Sequence, residues 1–288
     1  MNIASPVIQL IECPRDAMQG WPHFIPTHKK IQYLNALLRV GFNTIDFGSF
    51  VSHKAIPQMA DTEQVIRGLN SDGSKTKLLA IVANTRGAQD AMVHNAITYL
   101  GFPFSISPTF QLRNTNSSME QSLQTVEEIQ NLCIKNQKKL VIYISMGFGN
   151  LYGDPYNESI VMQWLETMTA MDISIISIAD TIGIATPQQV GSILKTVIPA
   201  YPDTTIGVHL HSTTHNWKAK LDAALQAGCR RFDGALKGIG GCPMAGDELV
   251  GNMDTALMIP CFNQLNLLNN LNEQALSECI DIANEIFV

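Results

Sequence analysis

Val7-Ile-Gln-Leu-Ile-Glu12-Cys-Pro-Arg-Asp-Ala-Met-Gln-Gly20 decides the fold. The run Val7–Glu12 is short and mostly apolar, as expected for a strand buried on both faces. A proline, an Arg-Asp pair and one isolated glycine follow it. An open, doubly wound sheet that binds a dinucleotide carries G-x-G-x-x-G at this place, where paired glycines admit a pyrophosphate. No such pair stands here. The other architecture open to alternating strands and helices is a closed (β/α)8 TIM barrel, and the rest of the chain agrees with it. Seven further runs rich in Ile, Val and Leu recur at Thr44–Phe47, Lys77–Val82, Phe102–Ile106, Leu140–Ser145, Ile173–Ala179, Thr205–Leu210 and Arg231–Asp233. Roughly 32 residues separate successive starts, the length of a βαβ unit. Amphipathic stretches lie between them. One is Thr115–Gln137, with an N-cap pattern at Ser118-Met-Glu-Gln121; another is Thr186–Ile198, where Pro187 suits a first helical position after Thr186. The sequence predicts one α/β TIM-barrel catalytic domain over residues 1–288, with the barrel over about 7–265 and an added C-terminal helical extension over about 268–288.

Composition excludes several functions. In 288 residues, 45 % are hydrophobic and 15 % charged, which is a globular balance and not that of a disordered chain or a coiled coil. With 19 basic against 25 acidic residues the formal charge is −6, so no cationic excess exists to neutralise a nucleic-acid backbone. No window offers about 18 uninterrupted apolar residues, and the most hydrophobic stretch, Ile173 to Ala185, carries Asp180 in its middle. No basic segment and apolar stretch precede Val7, so no membrane association and a cytoplasmic location are expected. Cysteines stand at 13, 133, 229, 242, 261 and 279 with no C-x-x-C pair, which reads as reduced thiols that mostly fill the core.

In a TIM barrel the reacting groups stand at the C-terminal ends of strands. Those ends carry Arg15 and Asp16, Asp46 and Ser49, Asp180 and Thr181, and His209 and His211; the loop after the eighth strand adds Cys242 and Asn252. Residues two apart in a strand share a face, so both imidazoles of His209-Leu-His211 project into one space. Joined by the Asp16 carboxylate and the Asn252 amide oxygen, they make a mixed N/O set that suits Mg²⁺ or Mn²⁺ better than a structural zinc. The plainer reading is a pair of hydrogen-bonded histidines at a strand end. Arg15-Asp16 is either a surface ion pair or a cation ligand beside a charge that faces a developing oxyanion. Asp180-Thr-Ile-Gly183 is either a capped turn or part of the chemistry. Cys242, within Gly238-Ile-Gly-Gly-Cys-Pro243, is either an inert thiol or a reactive one in a permissive loop.

Taken together, Pro14-Arg-Asp-Ala-Met-Gln-Gly20, Ser49-Phe-Val-Ser52 with Pro57-Gln-Met-Ala-Asp61, Asp180-Thr-Ile-Gly183, His209-Leu-His211, Gly240-Gly-Cys-Pro-Met-Ala245 and Gly251-Asn252 resemble the 3-hydroxy-3-methylglutaryl-CoA lyase family. The likeness runs in order from about residue 7 to 257. It implies a metal-dependent TIM-barrel lyase that cleaves a 3-hydroxy-3-methylglutaryl-CoA thioester to acetyl-CoA and acetoacetate, working as a homodimer with a divalent cation, Mg²⁺ or Mn²⁺. It assigns Asp16, His209, His211 and Asn252 as metal ligands, Arg15 as the enolate-stabilising cation and Cys242 as a loop thiol that shuttles a proton. It further places Gln19, Ser49 and Thr181 near the substrate and offers Asp16 or Asp46 as the proton acceptor. Three positions depart from the family pattern: Ala17 replaces a glycine, His53 a proline, and Asp46 the usual glutamate. Such departures leave room for a related acyl-CoA lyase or a catalytically silent barrel, and the shared R-D-x-x-Q and H-x-H strings would also serve a 2-oxo-acid aldolase or condensing enzyme of the same superfamily.

Overall fold

The computed structural model of the chain describes residues 7–241, 250–268 and 270–288. Its eight parallel strands close into a barrel in sequence order. They are β1 (Gln9–Glu12), β2 (Thr44–Phe50), β3 (Lys77–Val82), β4 (Ile97–Ser105), β5 (Lys139–Ser145), β6 (Ile175–Asp180), β7 (Thr205–Leu210) and β8 (Arg231–Gly234). β8 closes the ring on β1, with Gln9 opposite Arg231 and Glu12 opposite Gly234. The TIM barrel read from the sequence is the observed fold, and β3 and β7 have the expected bounds.

β4 differs most: it starts five residues before the expected Phe102, at Ile97. Gly101 and Pro103 look like strand breakers in the sequence. In the barrel, a Cβ on Gly101 would stand 2.6 Å from Ile81 Cδ1, so the interior leaves this strand no room for a side chain there. Leu79, Ile81, Val141 and Tyr143 form a small buried cluster of their own, while the large core lies between the strands and the surrounding helices.

The helices begin where the caps say. Ser118 and Gln121 satisfy each other's backbone N–H groups at the start of the helix Met119–Lys135, as Thr186 and Gln189 do for Pro187–Ala200. The expected Thr115–Gln137 stretch is the helix Met119–Lys135, and a separate helix before it, Pro108–Thr115, ends at Asn116, which adopts a left-handed conformation. At the C-terminus Asn272 caps the helix Glu273–Ile286, and the Phe287 ring meets Trp21 edge-on at 5.2 Å. Among the described residues no helix is long and apolar enough to cross a membrane.

One buried acid ties the barrel to the loop that follows β8. Glu12 Oε1 accepts from the Leu236 backbone N–H at 2.8 Å, and Oε2 accepts from the Thr255 hydroxyl at 2.5 Å. A single carboxyl on β1 therefore holds both ends of the segment that carries Asn252. Among the described residues no cation offsets its burial, which pushes the Glu12 pKa up to about 8 against the hydrogen bonds that favour the anion. The folded protein keeps this proton to about pH 8, whereas the unfolded chain releases it near the ordinary carboxylate value. Stability from this group is thus complete below about pH 4.5 and falls as pH rises toward 8, by at most about 1.4 kcal/mol per pH unit. In urea unfolding across that window, the wild type should lose stability relative to Glu12→Gln as pH rises; a difference that stays constant with pH contradicts the assignment.

Candidate active site

Pro14 follows the N-cap Cys13 and opens the helix Pro14–Gln19 directly after β1, which brings Arg15 and Asp16 to the barrel rim. The Arg15 guanidinium is forked between two acids. Nε lies 3.0 Å and Nη2 2.6 Å from Asp46 Oδ2, with Oδ1 3.3 Å from Nε, while Nη1 donates to Asp16 Oδ1 at 2.9 Å. Gln19, one helical turn on, donates to the same Asp16 oxygen at 2.9 Å. All three charged groups are buried.

A bulge aims β2 at this centre. Its register against β3 shifts between Asp46 and Gly48, so Asp46 pairs with Leu79 and Ser49 with Ile81. Leu79 and Ile81 both belong to the interior cluster. Asp46 and Ser49, three residues apart, therefore share a face that strict alternation would deny them. The Ser49 hydroxyl is buried there with no hydrogen-bond partner.

From the opposite side come β7 and the segment after β8. His209 and His211 turn their Nε2 atoms toward each other at 3.3 Å. His211 and Asn252 form an isolated antiparallel bridge. Asn252 Nδ2 donates to Asp16 Oδ2 at 2.7 Å and to the Ile239 carbonyl at 2.8 Å, which fixes the orientation of the amide. Its Oδ1 is left buried with no donor. Ligand atoms of Asp16, His209 and His211 all lie within 4.8 Å of one another. An anion, paired imidazole nitrogens and an unsatisfied amide oxygen on one space fit a divalent cation, since each offers a lone pair that the protein itself does not use fully.

The electrostatics favour this use. Burial works against the Asp16 carboxylate, but Arg15, the two histidines and the Asn252 amide hold it below the usual carboxylate range. Burial, helped by the neighbouring His209, lowers His211 to about 4, so its ring is neutral with a free lone pair near neutral pH. Asp46 answers differently: burial outweighs Arg15 and raises it to about 6. Burial also opposes the charged form of His209, yet Asp233 and Asp16 outweigh it and lift its pKa.

Asp233 went unremarked in the sequence although it stands one residue before the end of β8, beside His209 in register. Its Oδ2 lies 3.3 Å from His209 Nδ1, and its Oδ1 accepts from Arg231 Nη1 at 2.8 Å. A carboxylate only accepts here, so the Nδ1 proton faces Asp233 and the Nε2 lone pair faces the cluster. Cys13, His209 and Asp233 also stand close enough to suggest a second metal group. Against it, burial and the surrounding acids drive the Cys13 thiol well above its ordinary pKa, and both Asp233 oxygens are engaged.

The structure thus joins Arg15, Asp16, Gln19, Asp46, His209, His211 and Asn252 in one network and sets Ser49 on the same inner face as Asp46. The Thr181 hydroxyl, at the end of β6, accepts from the Met146 backbone N–H at 2.8 Å. Asp180 has both oxygens taken, by the Ala185 N–H and by Lys220. Cys242 lies outside the described residues. Of the other cysteines, 13, 133, 229 and 279 are buried, Cys261 is half-buried, and all are free thiols.

The HMGL-like family model matches residues 8–283. The chain belongs to the HMGL-like family. Among curated relatives, hydroxymethylglutaryl-CoA lyase of Bacillus subtilis is 32 % identical over 266 residues, covering 91 % of this chain and 87 % of its own length. (R)-Citramalyl-CoA lyase of Chloroflexus aurantiacus is 29 % identical over 93 % of this chain and 87 % of its own. Among solved structures, an HMG-CoA lyase of Acinetobacter baumannii in complex with coenzyme A and 3-methylmalate superposes with a TM-score of 0.91 at 30 % identity, covering all of this chain and 93 % of that one. For this HMGL-like chain the histidine–aspartate contact sets a test. Asp233→Asn should weaken Mn²⁺ binding about 10–100-fold in calorimetric titration; an unchanged affinity would show that Asp233 does not orient His209.

Proposed function

We propose that the chain is a divalent-cation-dependent carbon–carbon lyase that cleaves 3-hydroxy-3-methylglutaryl-CoA to acetyl-CoA and acetoacetate. Arg15, pinned between two buried carboxylates at the edge of the Asp16–His209–His211–Asn252 cluster, is the observation that carries this reading, together with family membership. Asp16, His209, His211 and Asn252 would hold the ion, Mg²⁺ or Mn²⁺. When bound, it would supply Lewis-acid assistance that lowers the pKa of the substrate's tertiary hydroxyl and orients its oxygens.

The residues do the rest. The hydroxyl proton passes to a carboxylate, and Asp46, raised to about 6, is better matched to that transfer near neutral pH than Asp16, which is held low. The hydroxyl carbon becomes the ketone of acetoacetate as its bond to C2 breaks, and the bonding pair passes to C2 and the thioester oxygen. Arg15 faces that oxygen as charge develops, already charged and already oriented. A proton then returns to C2, a role the resemblance gives to Cys242. Gln19, Ser49 and Thr181 would contact the acyl group; the unpartnered Ser49 hydroxyl supports that for its own position. On this reading the chain works in the cytoplasm, as the name of the human cytoplasmic 3-hydroxy-3-methylglutaryl-CoA lyase, 30 % identical over 95 % of this chain, suggests, and as a homodimer, which rests on the resemblance alone.

A second reading, a lyase for a related acyl-CoA, is favoured by the citramalyl-CoA lyase relative and by the shorter acid at Asp46. Purified protein with Mg²⁺ should release acetoacetate from 3-hydroxy-3-methylglutaryl-CoA faster than it cleaves (R)-citramalyl-CoA; the reverse order favours the second reading, and no turnover of either overturns both. Arg15→Gln, folded as judged by circular dichroism, should lose on the order of 10²–10³ in kcat, and near-normal turnover would remove Arg15 from its role.

A further inference from the structure

The helix Trp217–Gln226 lies between β7 and β8 in the chain, and its Lys220 is 0 % exposed. An ammonium has three donors and no acceptor. All three have partners here, at two neighbouring strand ends: Asp180 Oδ2 at 2.7 Å, the His211 carbonyl at 2.7 Å and the Gly183 carbonyl at 3.2 Å. Asp180 is fully buried as well, and its other oxygen accepts from the Ala185 N–H at 3.1 Å, closing the turn after β6.

That turn leans on the proposed ligands. Gly183 has φ +73°, and a Cβ there would come within 2.6 Å of Val250, two residues before Asn252. His211 is bridged to Asn252, with the Ser212 N–H donating to the Gly251 carbonyl at 2.9 Å and the Met253 N–H to the Leu210 carbonyl at 3.2 Å. One ammonium thus grips the backbone of His211 and the turn that abuts the segment carrying Asn252. Such a pair is weak evidence of a stabilising role, since apolar packing of the same volume is often as stable or more so.

We propose that Lys220 is a positioning residue for the cation site: it fixes the His211 backbone and the Asp180–Gly183 turn, and so holds His211 and Asn252 at the separation that receives the ion. The proposal rests on the reading of those two residues as ligands. Lys30 is a natural control. It is the other buried lysine among the described residues, paired with Asp61 at 2.7 Å and with the Gln58 carbonyl, and its hydrogen bonds reach none of the cluster.

The test is Mn²⁺ binding to metal-free protein, followed by the electron paramagnetic resonance of free Mn²⁺, alongside thermal melting. Lys220→Met should weaken Mn²⁺ binding about 10–100-fold, whereas Lys30→Met should lower the melting temperature and leave Mn²⁺ affinity as it was. The double variant Lys220→Met/Asp180→Asn leaves no unpaired buried charge, so it decides the matter should the single variant not fold, and it should show the same weakened binding. Wild-type affinity in the folded Lys220 variants overturns the proposal while leaving the ligand assignment intact. A wild-type protein that binds no Mn²⁺ overturns the ligand assignment and this proposal with it.

Discussion

Everything at the barrel mouth depends on how one guanidinium shares two buried acids. Arg15 reaches Asp46 through Nε and Nη2 and Asp16 through Nη1, so its plane is fixed by a two-pronged contact on one side and a single one on the other. Burying any one of the three charges alone would be prohibitive, and losing one partner of a buried pair costs about 3–5 kcal/mol. The trio therefore stands or falls as a unit. It has unequal consequences for the two acids, since Asp16 also gains from the histidines and the Asn252 amide while Asp46 has only Arg15. One carboxylate is left a firm anion suited to a cation, and the other titrates near the working range of a base.

Around this trio the structure adds layers, each of which orients the one inside it. Asp233 sets the tautomer of His209 and is held by Arg231. Gly207 is the reason Arg231 fits, since a Cβ there would stand 2.9 Å from the arginine stem. Glu12 gathers both ends of the segment bearing Asn252, and Lys220 joins the ends of β6 and β7. Preorganisation of this kind is what a site needs if donors are to meet developing charge without rearranging during the reaction. The barrel supplies stiff strands for it, and the polar supports are buried where water cannot compete.

The barrel was legible because strand length, spacing and the missing glycine pair are local properties of the chain. His209 and His211 were legible for the same reason, as a two-residue period on an apolar strand. Ser49 beside Asp46 was not derivable from period alone, because the bulge that puts both on one face lies in the pairing of β2 with β3 and not in either residue. The true start of β4 was hidden by Gly101, whose missing side chain is demanded by Ile81 and Tyr143 on the two neighbouring strands. Asp233 could have been found by applying the strand-end rule once more. Lys220 could not: within Trp217-Lys-Ala-Lys-Leu221 it reads as one of two solvated lysines on an amphipathic helix, and only the closed ring reveals that its acceptors come from the two strands beside it.

Anomalous diffraction from crystals grown with Mn²⁺ tests the central claim most directly. The account predicts one strong peak bounded by the Asp16 carboxylate, His209 Nε2, His211 Nε2 and Asn252 Oδ1, with Arg15 next to it and not bound to it. A peak on the opposite side of His209, between Cys13 and Asp233, or the absence of any peak in crystals whose dissolved protein still turns over with Mn²⁺, would contradict it.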